Sequence, residues 1–399
     1  MEASLTKLTT YIIKELTFLL NDSIFIVSLS LLILHLTINI GYLIYMSKVS
    51  KRPWNLKMSE IQDPYVTIIV PAYREAKIIG KKIENIAELE YSRHKLQVII
   101  IGDPETLKVT REKIHILNGI EVLLLEETER LGKAGALNYA LKFAKGQIIA
   151  TSDADAMWSS DALKKAIKYF SDPIVAAATG HEIISNASKN IHTYSEQLYR
   201  KTYYVMRLGE SKIWSTMIFQ GELALYRRNY LKFFESRPGY SDDTGTVVRL
   251  IKEGYRCIYI PEAKFFDAAP PDLKDKIMLK SRRGQHLVSA LTEALKYKIK
   301  GELPLPVSIV LANFYMHVLA PMIQLTIPIL LVASLIRNTA LLISTLLITV
   351  LAISMLDKNI RALVELYITS SLALTLALIK SIIGIRSVVW EKIESMREI

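Results

Sequence analysis

The chain has 399 residues, 51% of them hydrophobic, a formal charge of +11 and a mean hydropathy of +0.25, which is high for a soluble protein. Its single cysteine, Cys257, excludes an intrachain disulfide framework and a cysteine-built zinc site. No module of interleaved basic and aromatic residues accompanies the positive charge, so nucleic acid is not an expected partner.

Leu5, Leu8, Ile12, Leu16 and Leu19 recur at helical spacing, which predicts an amphipathic helix over residues 1–22 lying on a membrane surface. Residues 23–47 are almost free of charge and long enough to span a bilayer, which takes roughly 20 apolar residues. Lys48, Lys51, Arg52 and Lys57 follow at once. This basic flank predicts a cytosolic domain next in the chain, with anionic membrane lipids as neighbours.

Residues 62–301 read as soluble. Short apolar runs at 65–70, 96–101, 121–125 and 147–150 alternate with helical patterns at 77–89, 107–116 and 134–144. That alternation predicts an α/β domain around a mostly parallel sheet. Ligands of such sheets bind beyond the carboxyl ends of the strands. Three polar clusters fall there: PAYRE, IGDPE and TSDADA.

Each cluster carries chemistry suited to a nucleotide diphosphate. Pro71, Ala72 and Tyr73 offer backbone groups and an aromatic face to a base, and Glu75 and Asp103 offer carboxylates to ribose hydroxyls or base N–H groups. Gly132 and Gly135 bracket Lys133 before a helix, as a tight turn or as a lysine aimed at a base or phosphate. Asp153 and Asp155 are two apart, so they point to the same side, where a hard cation such as Mg²⁺ or Mn²⁺ relieves their repulsion. The alternative is that they cap a helix starting near Ser159.

The run VTIIVPAYREAKIIG, the strand ending at Asp103, GKAGALNYAL and SDADA together resemble glycosyltransferase family 2, with its GT-A fold. The resemblance covers residues 65–283. It continues in FQGELALYRR, similar to the family's acceptor-side glycine motif, and in SDDTGTVVRLIKEGYR, similar to its acidic motif, with Asp242, Asp243 and Arg249 at the matching spacing. It implies a GT-A, Rossmann-like catalytic domain over 62–283. Asp155, with Asp153, would hold Mg²⁺ or Mn²⁺. Pro71, Ala72, Tyr73, Glu75, Asp103, Lys133, Asp153 and Arg283 would hold the nucleotide sugar, and Gly221, Glu222 and Asp242 would lie on the acceptor side. Asp243 would be the general base, unless Asp242-Asp243 is only a helix cap.

Two departures stand out. Gly102 precedes Asp103 where the family often has a second Asp. The Gln-x-x-Arg-Trp motif of processive members is replaced by LKSRRGQH, with Lys280 at the Gln position, Arg283 retained and Gly284 at the Trp position. A tryptophan there offers a stacking surface for a sugar, so its loss argues against polymer synthesis. Lys280 and Arg282 are further candidates to neutralise phosphate, and His286 a lesser metal or phosphate contact.

Downstream, 284–302 reads as an interfacial helix and linker, and 303–385 as a small transmembrane domain of helices. Pro321 and Pro328 interrupt 303–336, which reads as a re-entrant piece leading into a span, or as two short spans; 339–356 and 362–385 read as further spans. The expected activity is inverting hexosyl transfer from a nucleotide sugar to a hydroxyl of a lipid-linked or glycolipid acceptor at the cytosolic face. GDP-mannose is favoured as donor by analogy alone, and UDP-glucose is next. A polyprenyl-phosphate glycosyltransferase, a processive synthase and a membrane scaffold with a degenerate nucleotide fold stay open.

Overall fold

The computed structural model describes residues 22–59, 62–127, 129–336 and 357–385, with isolated positions 17, 343, 345, 347 and 349. The expected interfacial helix over 1–22 and the apolar run 339–356 therefore lie almost wholly outside the described residues.

Eight strands form one sheet: β1 (Val66–Pro71), β2 (Leu96–Gly102), β3 (Glu121–Glu126), β4 (Ile148–Thr151), β5 (Met157–Trp158), β6 (Val175–Ile184), β7 (Ala224–Arg227) and β8 (Arg256–Asp267). Their order is β3-β2-β1-β4-β7-β6-β8-β5. The first four run parallel. β7 is antiparallel to both neighbours, β8 is parallel to β6 with two register shifts, and β5 closes the edge antiparallel to β8.

The mainly apolar runs of β1, β2 and β4, in which the buried Thr67 hydroxyl donates to Gln97 at 2.7 Å, follow from burial on both faces. Ile69, Ile99, Ile101 and Ile149 pack on one side with Leu137 and Ala140 of α4 (Gly132–Leu141). Ile68, Val70, Val98 and Ile100 pack on the other with Ile79, Ile83 and Ile86 of α2 (Ile79–Ala87). Between them, α3 (Pro104–Lys113) links β2 to β3. Downstream come α5 (Ala162–Ile167), α6 (Ile191–Ile213) and α7 (Thr244–Lys252).

Among the described residues, three helical runs are long and apolar enough to cross a membrane: α1 (Ser23–Val49), the run Val307–Leu335 and α11 (Lys358–Ile382). Residues 303–336 thus hold one helical run. It comprises α9 (Val307–Phe314), a π turn (Tyr315–Leu319) and α10 (Ala320–Leu335). Pro321 lies just past the π turn, so the helical bonding is already irregular where its N–H is missing. Preceding this run, α8 (Leu273–Ile299) is continuous, so the boundary drawn at 283 falls inside a helix.

A buried polar hub ties these helices to the sheet domain. Glu210 of α6 accepts from Tyr42 of α1 (2.7 Å), Asn313 of α9 (2.8 Å) and Thr216 (2.7 Å), and pairs with Arg207 at 2.9 Å. Arg207 in turn donates to Asn313. On α8, a Cβ at Gly284 would stand 3.0 Å from Ala377 and Leu374 of α11. The position of the missing tryptophan is where α11 packs.

Candidate functional site

The cleft lies beyond the carboxyl ends of β1, β2 and β4. β1 ends at Pro71, and the buried Ala72 donates its N–H to Ile101 at 2.7 Å. A Cβ at Gly102 would stand 2.6 Å from the Ala72 carbonyl oxygen, so this close approach of two backbones explains the glycine that replaces the second aspartate. Tyr73 lies between the guanidinium groups of Arg74 and Arg130, at 5.4 and 5.3 Å. Arg74 has φ +58°, a left-handed conformation that a non-glycine residue adopts at a cost and that recurs at ligand clamps.

That conformation is held by Asp103, whose carboxylate accepts from the Arg74 N–H and from the Thr106 hydroxyl (2.7 Å) and N–H (3.2 Å), capping α3. Burial works against ionisation of Asp103, but these bonds outweigh it and hold its carboxyl below the ordinary value. Glu75 is drawn to the same place, its N–H donating to the Thr106 hydroxyl at 2.9 Å.

After β4, exposure alternates. Ala154 and Ala156 are buried, while Asp153 and Asp155 are partly exposed on the shared opposite side. The next helix, α5, begins at Ala162 behind Asp161, so neither Asp153 nor Asp155 caps it. Lys133, in the first turn of α4, pairs with Asp153 at 2.5 Å. Burial opposes the charge of Lys133, but Asp153, Asp242 and Glu222 outweigh it and raise its pKa. Burial also pushes the Asp153 carboxyl above the ordinary range despite Lys133, with Glu222 and Asp155 adding to the rise.

The opposite wall comes from the turn Gly221–Leu223 and the start of α7. A Cβ at Gly221 would stand 3.0 Å from Lys133 Nζ, 3.4 Å from Asp243 Oδ2 and 3.8 Å from Asp242 Oδ2. Asp243 does cap α7, but only through Oδ1, which accepts from the Ser241 hydroxyl and the Thr244 N–H. Its Oδ2 is left facing the cleft beside Gly221. Asp242 is pushed up to about 7, by burial first and then by Asp243 and Asp153, against the pull of Lys133.

Glu222 pairs with Arg283 of α8 at 2.9 Å, and its carbonyl accepts from the Trp158 indole at 2.9 Å. Lys133, Asp153, Gly221, Glu222, Asp242, Asp243 and Arg283 therefore converge. Pro71, Ala72, Tyr73, Glu75 and Asp103 form a neighbouring rim. Arg249 does not join them, since it turns away to the Phe233 carbonyl and ring. Lys280 is taken by Glu196 at 2.7 Å and the Ser370 hydroxyl at 3.1 Å. Arg282 and His286 lie half-buried on α8. Among the described residues, no three His, Cys, Asp or Glu side chains gather as a ready-made metal cage.

Glu182, Arg200 and Asp267 escape a sequence reading. Glu182 of β6 pairs with Arg200 of α6 at 2.9 Å and accepts from Gln220. It is raised to about 7 by burial first, with Glu222 adding to the rise. Asp267 closes β8, and its carboxyl is held well above the ordinary range by burial, then by Asp155, Glu182 and Glu222. The one signal for Asp267 is its place at a strand end, just before Pro270-Pro271.

The parallel half-sheet, the two-aspartate loop at the end of β4 and the facing acidic turn of α7 together define a GT-A fold. The chain belongs to the family described as Glycosyltransferase like family 2, whose model matches residues 64–285. It is 30% identical to a mannosyltransferase from Pyrobaculum calidifontis solved in complex with GDP-Man and Mn²⁺, with a TM-score of 0.75 over 89% of this chain and 97% of that one. A beta-monoglucosyldiacylglycerol synthase from Nostoc sp. is 35% identical over 133 residues, 33% of this chain and 28% of that protein. An N-acetylglucosaminyltransferase from Bradyrhizobium diazoefficiens is 25% identical over 239 residues, 55% of this chain and 48% of that protein. This chain thus spans about half or less of the length of those two curated relatives.

Proposed function

We propose that this chain is a membrane-integrated, non-processive, inverting hexosyltransferase. It moves mannose from GDP-mannose to a hydroxyl of a lipid-linked or glycolipid acceptor, with the sheet domain on the cytosolic side. The observation that carries this reading is the division of labour at Asp243, with Oδ1 spent on the helix cap and Oδ2 free to face the cleft beside Lys133 and Gly221.

The residues act as follows. Tyr73, Glu75 and Asp103 receive the nucleoside along the rim, and Lys133 and Arg283 meet the diphosphate. Asp243 Oδ2 takes the proton of the acceptor hydroxyl as that oxygen attacks the anomeric carbon. With Asp243 as base and the acceptor hydroxyl as the attacking group, transfer is a single displacement, hence inversion. The oxygen-only donor set of Asp155 and Asp153 fits Mg²⁺ or Mn²⁺, and a cation there would offset the burial that, with Glu222 and Asp155, pushes Asp153 up. When bound, the cation supplies positive charge against the leaving diphosphate.

The donor rests on the 30% identical mannosyltransferase with its bound GDP-Man, and the glycolipid acceptor on the relative from Nostoc. The close packing of Gly284 against α11 supports a single transfer, since it leaves no room for a stacking tryptophan.

The test is nucleotide release from a panel of GDP- and UDP-sugars by the detergent-purified chain with membrane lipid extract, using Mn²⁺, Mg²⁺ or EDTA. Release from GDP-mannose that EDTA abolishes and Asp155→Ala removes is expected. Release from a UDP-sugar would replace the donor. No release from any donor would overturn the enzyme reading.

A further inference from the structure

Lys82 is fully buried, an unusual fate for a lysine. It lies on the inner face of α2 among Ile79, Ile83 and Ile86, where a methionine or leucine would fill the space without desolvating a charge. Its surroundings accept and do not donate. Nζ donates to the Ala156 carbonyl at 2.6 Å and to Asn85 Oδ1 at 3.3 Å, and stands 4.8 Å from the centre of the Trp158 ring.

Ala156 is the residue directly after Asp155. Asn85, one turn along α2, grips the next stretch of the same loop, donating to the Trp158 carbonyl at 2.7 Å and accepting from its N–H at 2.9 Å. Trp158 then reaches across to the Glu222 carbonyl. The amine is thus fixed beneath the loop that carries Asp153 and Asp155; burial lowers it to about 7, against the pull of both carboxylates toward the charged form. Asp153 already has Lys133 on the cleft side. The loop therefore lies between two lysines, one in the cleft and one sealed beneath it.

We propose that Lys82 is a built-in counter-cation for the Asp153–Asp155 loop. It balances the loop's charge when no divalent ion is bound, keeps the empty site folded, and weakens the site's hold on the cation. This rests on the assignment of Asp153 and Asp155 to the cation. Where this buried amine keeps its proton, below about pH 7, its charge opposes an arriving divalent ion, so it favours departure of cation and nucleotide diphosphate after transfer. Lys82 is a positioning residue in this scheme, because it touches no substrate.

The test is Mn²⁺ binding to the full chain in detergent, without nucleotide and with GDP, followed by the electron paramagnetic resonance signal of free Mn²⁺. Lys82→Met removes the charge and fills the space. Lys82→Gln removes the charge and keeps a donor for Ala156, and it carries the same reading should the methionine variant not fold. Asn85→Ala loosens the grip on the loop and leaves the charge in place. The expected result is Mn²⁺ binding tighter by about tenfold in the neutral variants and unchanged or weaker in Asn85→Ala. A role in packing alone would weaken Mn²⁺ binding in all three. Unchanged or weaker binding in both neutral variants overturns the proposal and leaves the cation site standing. No Mn²⁺ binding by the wild-type chain, with or without GDP, overturns both.

Discussion

Replacing Gly221 by alanine tests the cleft with a single methyl group. Gly221 has no positive φ, so alanine suits its backbone and reduces the freedom of the unfolded chain. The cost falls on what the methyl meets. It would arrive 3.0 Å from Lys133 Nζ, about half an ångström inside an ordinary carbon–nitrogen contact, and 3.4 Å from Asp243 Oδ2. Lys133 sits at the end of a flexible chain and gives way, which stretches its 2.5 Å pair with Asp153. The unfolding free energy should fall by about 1–3 kcal/mol, the range for adding a methyl group to a well-packed buried site. Transfer should fall by about 10²-fold, the usual penalty for displacing reacting groups by something under 1 Å. The assays are thermal unfolding in detergent and GDP release from GDP-mannose with lipid extract. Activity within twofold of wild type, with an unchanged melting temperature, would refute the claim that Lys133, Gly221 and Asp243 enclose the reacting atoms.

The remaining predictions use other parts of the molecule. Asp243→Asn keeps an oxygen to cap α7, so the fold should persist and GDP should still bind, while transfer to a hydroxyl falls about 10²- to 10⁴-fold in a single-turnover assay. Glu210→Ala strands the buried Arg207 charge and removes the acceptor shared by Tyr42, Asn313 and Thr216, so it should cost about 3–5 kcal/mol and show as a large drop in melting temperature. Glu182 and Asp242 are both raised to about 7, so the folded protein binds more protons than the unfolded chain between the ordinary carboxyl range and neutrality. Their stabilisation is complete below that window and lost as pH rises through about 7. These two carboxyls therefore pull the melting temperature of the metal-free protein down between pH 5 and pH 8, and Asp242→Asn should remove that pull at one of them, read as a change in the slope of melting temperature against pH relative to wild type.

Which of these features can be read from residues alone depends on the distance over which the physics acts. β1, β2 and β4 are mainly apolar because both faces are covered, and β1 and β2 stop at Pro71 and Gly102, so local pattern suffices. The spacing of Asp153 and Asp155 is equally local. Lys82 is the opposite case, since a lysine on an amphipathic helix reads as a solvent-facing residue until β5 and the loop before it are laid over α2. Lys133 and Asp153, twenty residues apart, meet only when α4 packs across the end of β4. The raised carboxyls of Glu182 and Asp267 likewise arise when β6 and β8 pair and pull both acids out of water. The 303–336 stretch stays ambiguous on residues alone for a different reason, because prolines are tolerated inside an apolar helix as well as at a break.

The hub at Glu210 sets a practical limit on how this protein can be divided. Tyr42 and Asn313 belong to helices outside the sheet domain, yet they supply two of the groups that keep a buried carboxylate satisfied. A fragment cut to residues 62–301 would carry Arg207 and Glu210 with neither helix and would present Gly209, which packs against Met46, as a bare surface. Such a fragment is expected to precipitate on expression, whereas longer pieces that keep α1 and α9 hold together. Here the anchor is part of the folding unit, and a water-soluble version requires redesigning the hub itself.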